Sequence, residues 1–221
     1  MSRMITTGPF TGLLKNGYRA VEIDPPWIWK SYSKKGETKS PNAHYDTMTI
    51  SDIADLPVAD LLADDCAVFL WCTWPTMPAP WDVAKAWGLK YSGLAWEWVK
   101  FNPATGKYAF GGGLGGTRKN LEPCLLFRKG SPELLDRSVR DFIIDPVTGE
   151  EIIDDSGGVL LSPRRRHSEK PTEAKERIEK LFAGPYLELF SRTSRDRWDS
   201  WGDEAGKFDP PRIYTEVDDL V

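Results

Sequence analysis

Four consecutive residues combine types that suit chemistry on a planar amine: Asp24, Pro25, Pro26 and Trp27. Two prolines restrict the backbone, so the carboxylate and the following carbonyl groups are held as preorganised hydrogen-bond acceptors. Trp27 adds a flat apolar face beside them. Such a site suits a heterocycle with an exocyclic amine, which donates to the acceptors while its ring stacks on the indole. The structural alternative is a rigid turn in which Asp24 caps a backbone group and Trp27 packs in the core.

The elements that position these residues follow from the apolar pattern. Residues 18–24 (YRAVEID) predict a β-strand that ends at the prolines, because proline cannot continue a central strand. The continuous apolar run 66–71 predicts a strand buried on both faces of a parallel sheet. Three more strands are predicted at 92–100, 122–128 and 186–190. Helices are predicted near 51–56, 60–62 and 80–87, and after Thr172 as an N-cap.

Strands that alternate with helices predict an α/β domain with a mostly parallel sheet. Ligands bind such sheets at the carboxyl ends of the strands, so we expect Asp24, Ser191 and Arg192 in one cleft. Turn signals around residues 150–153 predict a small β-hairpin within an insertion at 131–163. We expect a single domain over residues 1–204 and an acidic C-terminal tail over 205–221.

Composition excludes several classes of protein. The chain has 221 residues and a net charge of −4, which excludes a protein that is basic over its whole surface but not a local basic site. Three cysteines form no disulfide framework, and with two histidines they show no metal-ligand spacing, so we expect no metal. We find no membrane-length apolar stretch and no basic-then-apolar leader, and therefore predict a cytoplasmic protein.

The sequence around the tetrapeptide resembles a known family. Residues 24–27 are similar to the DPPW catalytic motif of the β-class adenine-N6 methyltransferases. This family includes bacterial and phage DNA methyltransferases and the catalytic subunit of the eukaryotic mRNA adenosine-N6 methyltransferase. Further similar segments follow in the family's order between residues 18 and 204: 43–48 (AHYDTM), 69–71 (FLW), 98–100 (WVK), 117–123 (TRKNLEP), 167–171 (HSEKP), 188–192 (ELFSR) and 198–204 (WDSWGDE).

The resemblance implies a Rossmann-like, S-adenosylmethionine-dependent methyltransferase fold and methyl transfer to the N6 amine of adenine in nucleic acid. It implies that Asp24, Pro25, Pro26 and Trp27 are catalytic. The residues implied to bind the cofactor are Lys170, Glu188, Leu189, Phe190, Arg192, Gly202, Asp203 and Glu204. Those implied to bind the substrate are Tyr45, Arg118, Asn120, Glu122, Arg166, His167 and Ser168. Asp203 departs from the asparagine usual in the family, and an aspartate accepts hydrogen bonds but cannot donate like an amide.

DNA is the expected substrate, because the chain is small, shows no added RNA-binding module and resembles the bacterial and phage members. Two alternatives stay open: an RNA adenine-N6 methyltransferase, and a non-catalytic nucleic-acid-binding subunit of a methyltransferase complex. The intact tetrapeptide argues against the second. For target recognition we consider the insertion at 131–163, the loop at 28–47, a homodimer and a second subunit.

Two other features are expected to be structural. Trp71, Trp96 and Trp98 lie in apolar runs and are predicted to be core residues. Pro123 and Cys124 are similar to the Pro-Cys nucleophile of cytosine-5 methyltransferases. Cys124 runs directly into an apolar segment, however, so we predict a buried strand residue and no nucleophile.

Overall fold

The computed structural model describes residues 3–28, 46–102, 104–108, 120–137, 143–144, 151–152, 159–163 and 169–209. Within these ranges the strands are β1 (Arg3–Met4), β2 (Leu14–Lys15), β3 (Tyr18–Ile23), β4 (Leu62–Trp71), β5 (Lys90–Phe101), β6 (Leu121–Lys129), β7 (Ile143–Ile144), β8 (Glu151–Ile152), β9 (Val159–Pro163), β10 (Tyr186–Leu189) and β11 (Trp198–Trp201). The α-helices are α1 (Ile50–Ala54), α2 (Ala79–Ala86) and α3 (Thr172–Leu181). None of these helices has the length and apolar character needed to cross a membrane.

One mixed sheet positions the site, with the strand order β11-β10-β3-β4-β6-β5-β9. Its pairs are parallel except at β6, which runs antiparallel to both β4 and β5. The prediction of a mostly parallel α/β sheet is therefore confirmed. Ile23 pairs with Leu189 on one side and with Leu70 on the other. Three parallel strands thus end at the same edge, which we call the catalytic edge because it carries the tetrapeptide that the resemblance implies to be catalytic.

Apolar side chains fill both faces of this sheet. On β4, Val68 and Leu70 point to one side and Phe69 and Trp71 to the other, as the two-residue period of a strand requires. Helices α1 and α2 contribute to the core on the first face and α3 to the core on the second. The burial of β4 on both faces explains its unbroken apolar run. Trp71, Trp96 and Trp98 are core residues, as predicted.

Two predicted helix positions are wrong. The predicted helix at 60–62 is a 3-10 helix at Val58–Asp60, and Leu62 already begins β4. Thr172 is the first residue of α3, and the N-cap is Pro171, which makes no side-chain cap hydrogen bond. The proline takes an extended ψ of 135° and so ends the preceding segment itself, leaving Thr172 in the first turn.

The insertion is only partly separate from the domain. Strands β7 and β8 pair antiparallel as the predicted hairpin. The last residues of the insertion, Val159–Pro163, form β9 and pair in parallel with β5, so they belong to the main sheet. Strands β9 and β11, and the short strands β1 and β2, were not predicted from the sequence. The start of the predicted tail also returns to the domain, since Phe208 donates its N–H to the Arg192 carbonyl at 3.0 Å.

A glycine after β6 offers a test of this packing. Gly130 has a φ of +61°, and a Cβ there would clash with the Asp64 carbonyl and the Asp65 carboxylate. We expect Gly130→Ala to lower the free energy of unfolding by roughly 2 to 4 kcal/mol, from backbone strain plus overlap. Gly106, with a φ of +62° and open space around it, is the matched control, for which about 1 kcal/mol is expected. Urea unfolding measures both, and equal losses would contradict the clash.

Candidate active site

The tetrapeptide forms a tight turn directly after β3. The Trp27 N–H donates to the Pro25 carbonyl at 2.8 Å, which closes a turn around Pro26. The proline ring holds φ near the value that such a three-residue turn needs. The Pro26 carbonyl accepts from the Met48 N–H at 2.8 Å, which ties the turn to the segment before α1. The predicted rigid backbone is therefore present, with Asp24 at the catalytic edge.

Trp27 is a core residue in this structure. Its indole is only 8 % exposed and packs in the core on the first sheet face. Its N–H donates to the carbonyl of Trp71 at 3.0 Å. This burial agrees with the structural alternative rather than with a stacking platform open to a base. Trp27 instead anchors the turn to the end of β4.

Asp24 lies at one end of a chain of four charged side chains. Lys170 Nζ is 2.7 Å from Asp24 Oδ2 and 2.6 Å from Glu122 Oε1. Lys100 contacts the other oxygen of Glu122. We call Asp24, Lys170, Glu122 and Lys100 the catalytic charge chain. It contains two cations and two carboxylates, so its charges balance.

The pKa values in this chain diverge. Burial alone would raise the pKa of Glu122, but the Lys170 and Lys100 cations outweigh it and lower that pKa to about 2. Burial raises the pKa of Asp24, with Lys170 opposing and the Glu122 carboxylate adding to the rise. Burial would lower the pKa of Lys170, yet its two carboxylate partners raise it, so Lys170 stays a cation. Asp24 is therefore the more basic of the two carboxylates.

A cavity of about 270 Å³ opens beside Asp24. Arg192 lines this cavity, and its Nε lies 3.0 Å from Oε2 of Glu204 in the same wall. Four carboxyl groups face one guanidinium there, so the cavity suits a ligand with positive charge. The lining residues are Asp24, Pro26, Asp46, Phe190, Ser191, Arg192, Asp203 and Glu204.

Strained backbone shapes the cavity wall. Phe190 has a φ of +60°, an uncommon value for a residue other than glycine. Gly202 has a φ of +150°, and a Cβ there would lie 2.9 Å from the Phe190 Cα, so only glycine fits. The Ser191 N–H donates to the Trp201 carbonyl at 3.0 Å and holds the two segments together. This close approach turns the chain after β10 into the cavity.

The structure divides the residues expected to bind a cofactor. Half of them line the cavity: Phe190, Arg192, Asp203 and Glu204. Leu189 is fully buried and Gly202 supports the wall. Glu188 is buried behind Ser191, and its Oε2 accepts a hydrogen bond from the Ser191 hydroxyl at 2.6 Å. Lys170 contacts the two carboxylates of the catalytic charge chain and does not line the cavity.

Two residues of the site were not singled out from the sequence. Asp46 lines the cavity, and its only signal was its place in the similar segment 43–48. Lys100 pairs with Glu122, and its signal was the segment 98–100 on a predicted strand. Neither residue type indicates a role until the sheet brings its partners together.

Most of the residues expected to bind the substrate lie outside the described residues. Glu122 belongs to the catalytic charge chain, and the Asn120 side-chain carbonyl accepts from the Lys100 N–H at 2.9 Å. Asn120 thereby supports the strand that carries Lys100. The other five lie outside the described residues: Tyr45, Arg118, Arg166, His167 and Ser168.

Cys124 is a buried strand residue, as predicted, with no exposed surface. Burial raises the pKa of its thiol well above the usual range, so it stays protonated and is a poor nucleophile. In the part of the chain that the structure describes, no three His, Cys, Asp or Glu residues are grouped as metal ligands.

Comparison with known proteins gives a consistent result. The model of the MT-A70 family matches residues 18–204. The type II methyltransferase M.MunI of Mycoplasma sp is 29 % identical over 209 residues, which cover 87 % of this chain and 80 % of that protein.

Two eukaryotic proteins are also similar. The mouse N(6)-adenine-specific methyltransferase METTL4 is 29 % identical over 86 % of this chain. The N6-methyladenosine RNA methyltransferase MTA1 of Pyricularia oryzae is 28 % identical over 86 % of it. The alignments cover only 38 % and 48 % of those two proteins, so this chain spans less than half of their length.

The lowered pKa of Glu122 predicts a pH-dependent contribution to stability. A carboxylate with a folded-state pKa of about 2 and an ordinary value of 4.5 stabilises fully above pH 4.5 and loses its effect as pH falls towards 2. We expect Glu122→Gln to cost roughly 2 to 3 kcal/mol at pH 7, with a smaller cost at pH 3. Urea unfolding at both pH values measures this, with Glu133→Gln at an exposed position as control. A cost that is unchanged at pH 3 would contradict the ion pairing.

Proposed function

The chain belongs to the MT-A70 family of adenine-N6 methyltransferases, and from this premise we propose that it is a site-specific DNA methyltransferase that uses S-adenosylmethionine. The observation that carries the proposal is a single cavity that joins Asp24 to Arg192 and Asp203. The first residue belongs to the DPPW tetrapeptide and the others to the segments expected to hold the cofactor. A methyl donor and the acceptor amine would meet there.

The cavity fits the proposed cofactor by charge. S-adenosylmethionine carries a positive sulfonium and a positive ammonium group, together with ribose hydroxyls that donate hydrogen bonds. The carboxylates of Asp46, Asp203 and Glu204 are acceptors for such groups. Arg192 would donate to the cofactor's carboxylate, and Phe190 would offer an apolar wall. When bound, the cofactor supplies an electrophilic methyl group.

The residues at the catalytic edge activate the amine. The lone pair of an aromatic amine is delocalised into the ring, so the amine is a poor nucleophile. Asp24 and the Pro25 carbonyl accept hydrogen bonds from the two N6 hydrogens and direct the lone pair towards the methyl group. A carbonyl has two lone pairs, so Pro25 can also keep its bond from Trp27. As the N–C bond formed, the S–CH3 bond of the donor would break and its electron pair would stay on sulfur as a neutral thioether. Asp24, the more basic carboxylate, would take the proton that the amine loses.

DNA is the proposed substrate. The support comes from the type II methyltransferase M.MunI of Mycoplasma sp, because the alignment covers most of the length of both proteins. A second candidate is RNA, because one similar protein is named as an RNA methyltransferase. The chain covers less than half of that protein, which makes the comparison weaker support for the whole activity.

We also propose a cytoplasmic location and a source of target recognition for the enzyme. Cys66, Cys72 and Cys124 are buried free thiols, as suits the reducing cytoplasm. The residues expected to contact nucleic acid lie mainly outside the described ranges, and we propose that target recognition uses those segments, with a homodimer or a second subunit as the alternative source. A purely scaffolding subunit is disfavoured because the tetrapeptide and its charged partners are assembled.

The proposal predicts transfer of labelled methyl from S-adenosylmethionine to N6 of adenine in DNA oligonucleotides. Asp24→Asn keeps the shape of the side chain but removes the charged acceptor, so we expect the rate to fall at least about 10² to 10³-fold. Asp82→Asn, at an exposed position of α2, is the matched control and should keep the wild-type rate. Single- and double-stranded DNA and RNA are compared in the same assay.

The outcomes of this assay separate the alternatives. Wild-type turnover in the Asp24→Asn variant would overturn the assigned role. Label in RNA alone would keep the reaction and replace DNA as substrate. If no oligonucleotide is labelled while calorimetry shows that S-adenosylmethionine binds, the isolated chain is not sufficient and a subunit role replaces the proposed activity.

A further inference from the structure

A second group of charged side chains lies inside the fold, away from the catalytic charge chain. Lys175 Nζ on α3 is 3.0 Å from Glu188 Oε1 on β10 and 3.1 Å from Glu22 Oε2 on β3. All three residues are buried, the most accessible being Glu188 at 8 % exposed. We call Glu22, Lys175 and Glu188 the buried triad. It contains two carboxylates and one ammonium group.

Neutral donors hold the other carboxylate oxygens. The Trp71 indole N–H donates to Glu22 Oε1 at 2.7 Å. The Ser191 hydroxyl donates to Glu188 Oε2 at 2.6 Å. Glu188 is therefore fixed from two directions, by Lys175 beneath the sheet and by Ser191 in the cavity wall.

Stability alone gives no reason for this arrangement. Moving three charges out of water is costly, and buried ion pairs can often be replaced by apolar side chains with no loss of stability. Glu22 and Lys175 lie in otherwise apolar surroundings, between the core residues Trp71 and Trp198. A buried charged group beside a ligand cavity is more readily explained by what it does for that cavity.

The triad lies close to the catalytic charge chain in both sequence and space. Lys175 follows Lys170 by five residues, and each lysine joins two carboxylates. Trp71 separates the two groups: Lys170 Nζ lies 5.4 Å from the centre of one of its rings, while its N–H contacts Glu22. The segment around the start of α3 thus supplies one cation, Lys170, to the catalytic charge chain and a second cation, Lys175, to the buried triad.

We propose that Lys175 is a positioning residue for cofactor binding, which holds the Glu188 carboxylate in place against Ser191 in the cavity wall, while Glu22 is the second carboxylate that fixes Lys175. Glu188 does not line the cavity itself but accepts a hydrogen bond from the Ser191 hydroxyl, and an ionised, fixed carboxylate holds that wall residue more firmly than a protonated or mobile one. This inference rests on the proposed function, since it takes the cavity to be the S-adenosylmethionine site.

The charges around Glu188 set the sign of the expected effect. Burial raises its pKa, the Lys175 cation lowers it and the Glu22 carboxylate raises it, with the effect of Lys175 larger than that of Glu22. On the other side Glu188 pairs with Ser200 of β11, a neutral residue. Arg195 acts on Glu22 but pairs with Glu179. Removing Glu22 and Lys175 together should therefore raise the pKa of Glu188 further.

The test is the affinity for S-adenosylmethionine of the double variant E22M/K175M, measured by calorimetry at pH 6, 7 and 8. Apolar replacement of both partners should keep the fold, which thermal unfolding checks. We expect weaker binding than in the wild type, with Kd rising by up to about tenfold per pH unit below the raised pKa of Glu188. The double variant E176M/K180M is the control for a general charge effect, because it removes one carboxylate and one ammonium group from exposed positions of α3.

A second variant predicts the opposite sign. Glu22→Gln removes the carboxylate that raises the pKa of Glu188 while Lys175 remains, so binding should weaken less at pH 6 than it does in the wild type. Because this substitution keeps shape and the Trp71 contact, it tests the proposal even if the double variant does not fold.

The results distinguish this inference from the proposed function. No binding of S-adenosylmethionine by the wild type would overturn the function itself. Wild-type binding with the same Kd and pH dependence in a folded E22M/K175M variant would overturn only the role of Lys175. An equal loss of affinity in E176M/K180M would show a general charge effect and would also overturn it.

Discussion

Lys170 places one ammonium group between the carboxylates of Asp24 and Glu122, and the geometry of the site depends on that pairing. Two buried carboxylates at the same edge of a sheet would repel each other and would take up a proton without a cation between them. Lys170 keeps Glu122 ionised, and Lys100 adds a second cation on its far side. Asp24 has a raised pKa in the same surroundings, so one carboxylate is ionised at neutral pH and the other is the more basic of the two.

The parallel sheet makes this pairing available. Strands β3, β4 and β10 end at the same level, so the tetrapeptide and the strained turn at Phe190 face each other across a short distance. The antiparallel strand β6 runs the other way and brings Glu122 to the same edge near its start. Lys170, just before α3, and Lys175, within it, then supply the two cations that pair with carboxylates on or next to these strands. Each lysine therefore ties together elements that are distant in sequence.

The cavity and the catalytic charge chain have different electrostatic characters. The chain is balanced, whereas carboxylates dominate the cavity wall around Arg192. The proposed function suits this difference, because an adenine base is neutral and the methyl donor is a cation. The buried triad lies behind the same cavity wall.

The sequence by itself determined the family, the mostly parallel α/β sheet and the position of Asp24 at a strand end, because these follow from apolar periodicity, proline and contiguous motifs. It also predicted eight residues in short segments as cofactor residues, but only the tertiary structure decided that four of them line the cavity. Only the tertiary structure decided that Trp27 packs in the core, that Lys170 pairs with Asp24, and that Lys175 joins Glu22 to Glu188. The physical reason is range. Propensity and motifs act between neighbours in the chain, whereas burial and ion pairing join residues as distant in sequence as Glu22 and Lys175, which become partners only once the sheet has formed.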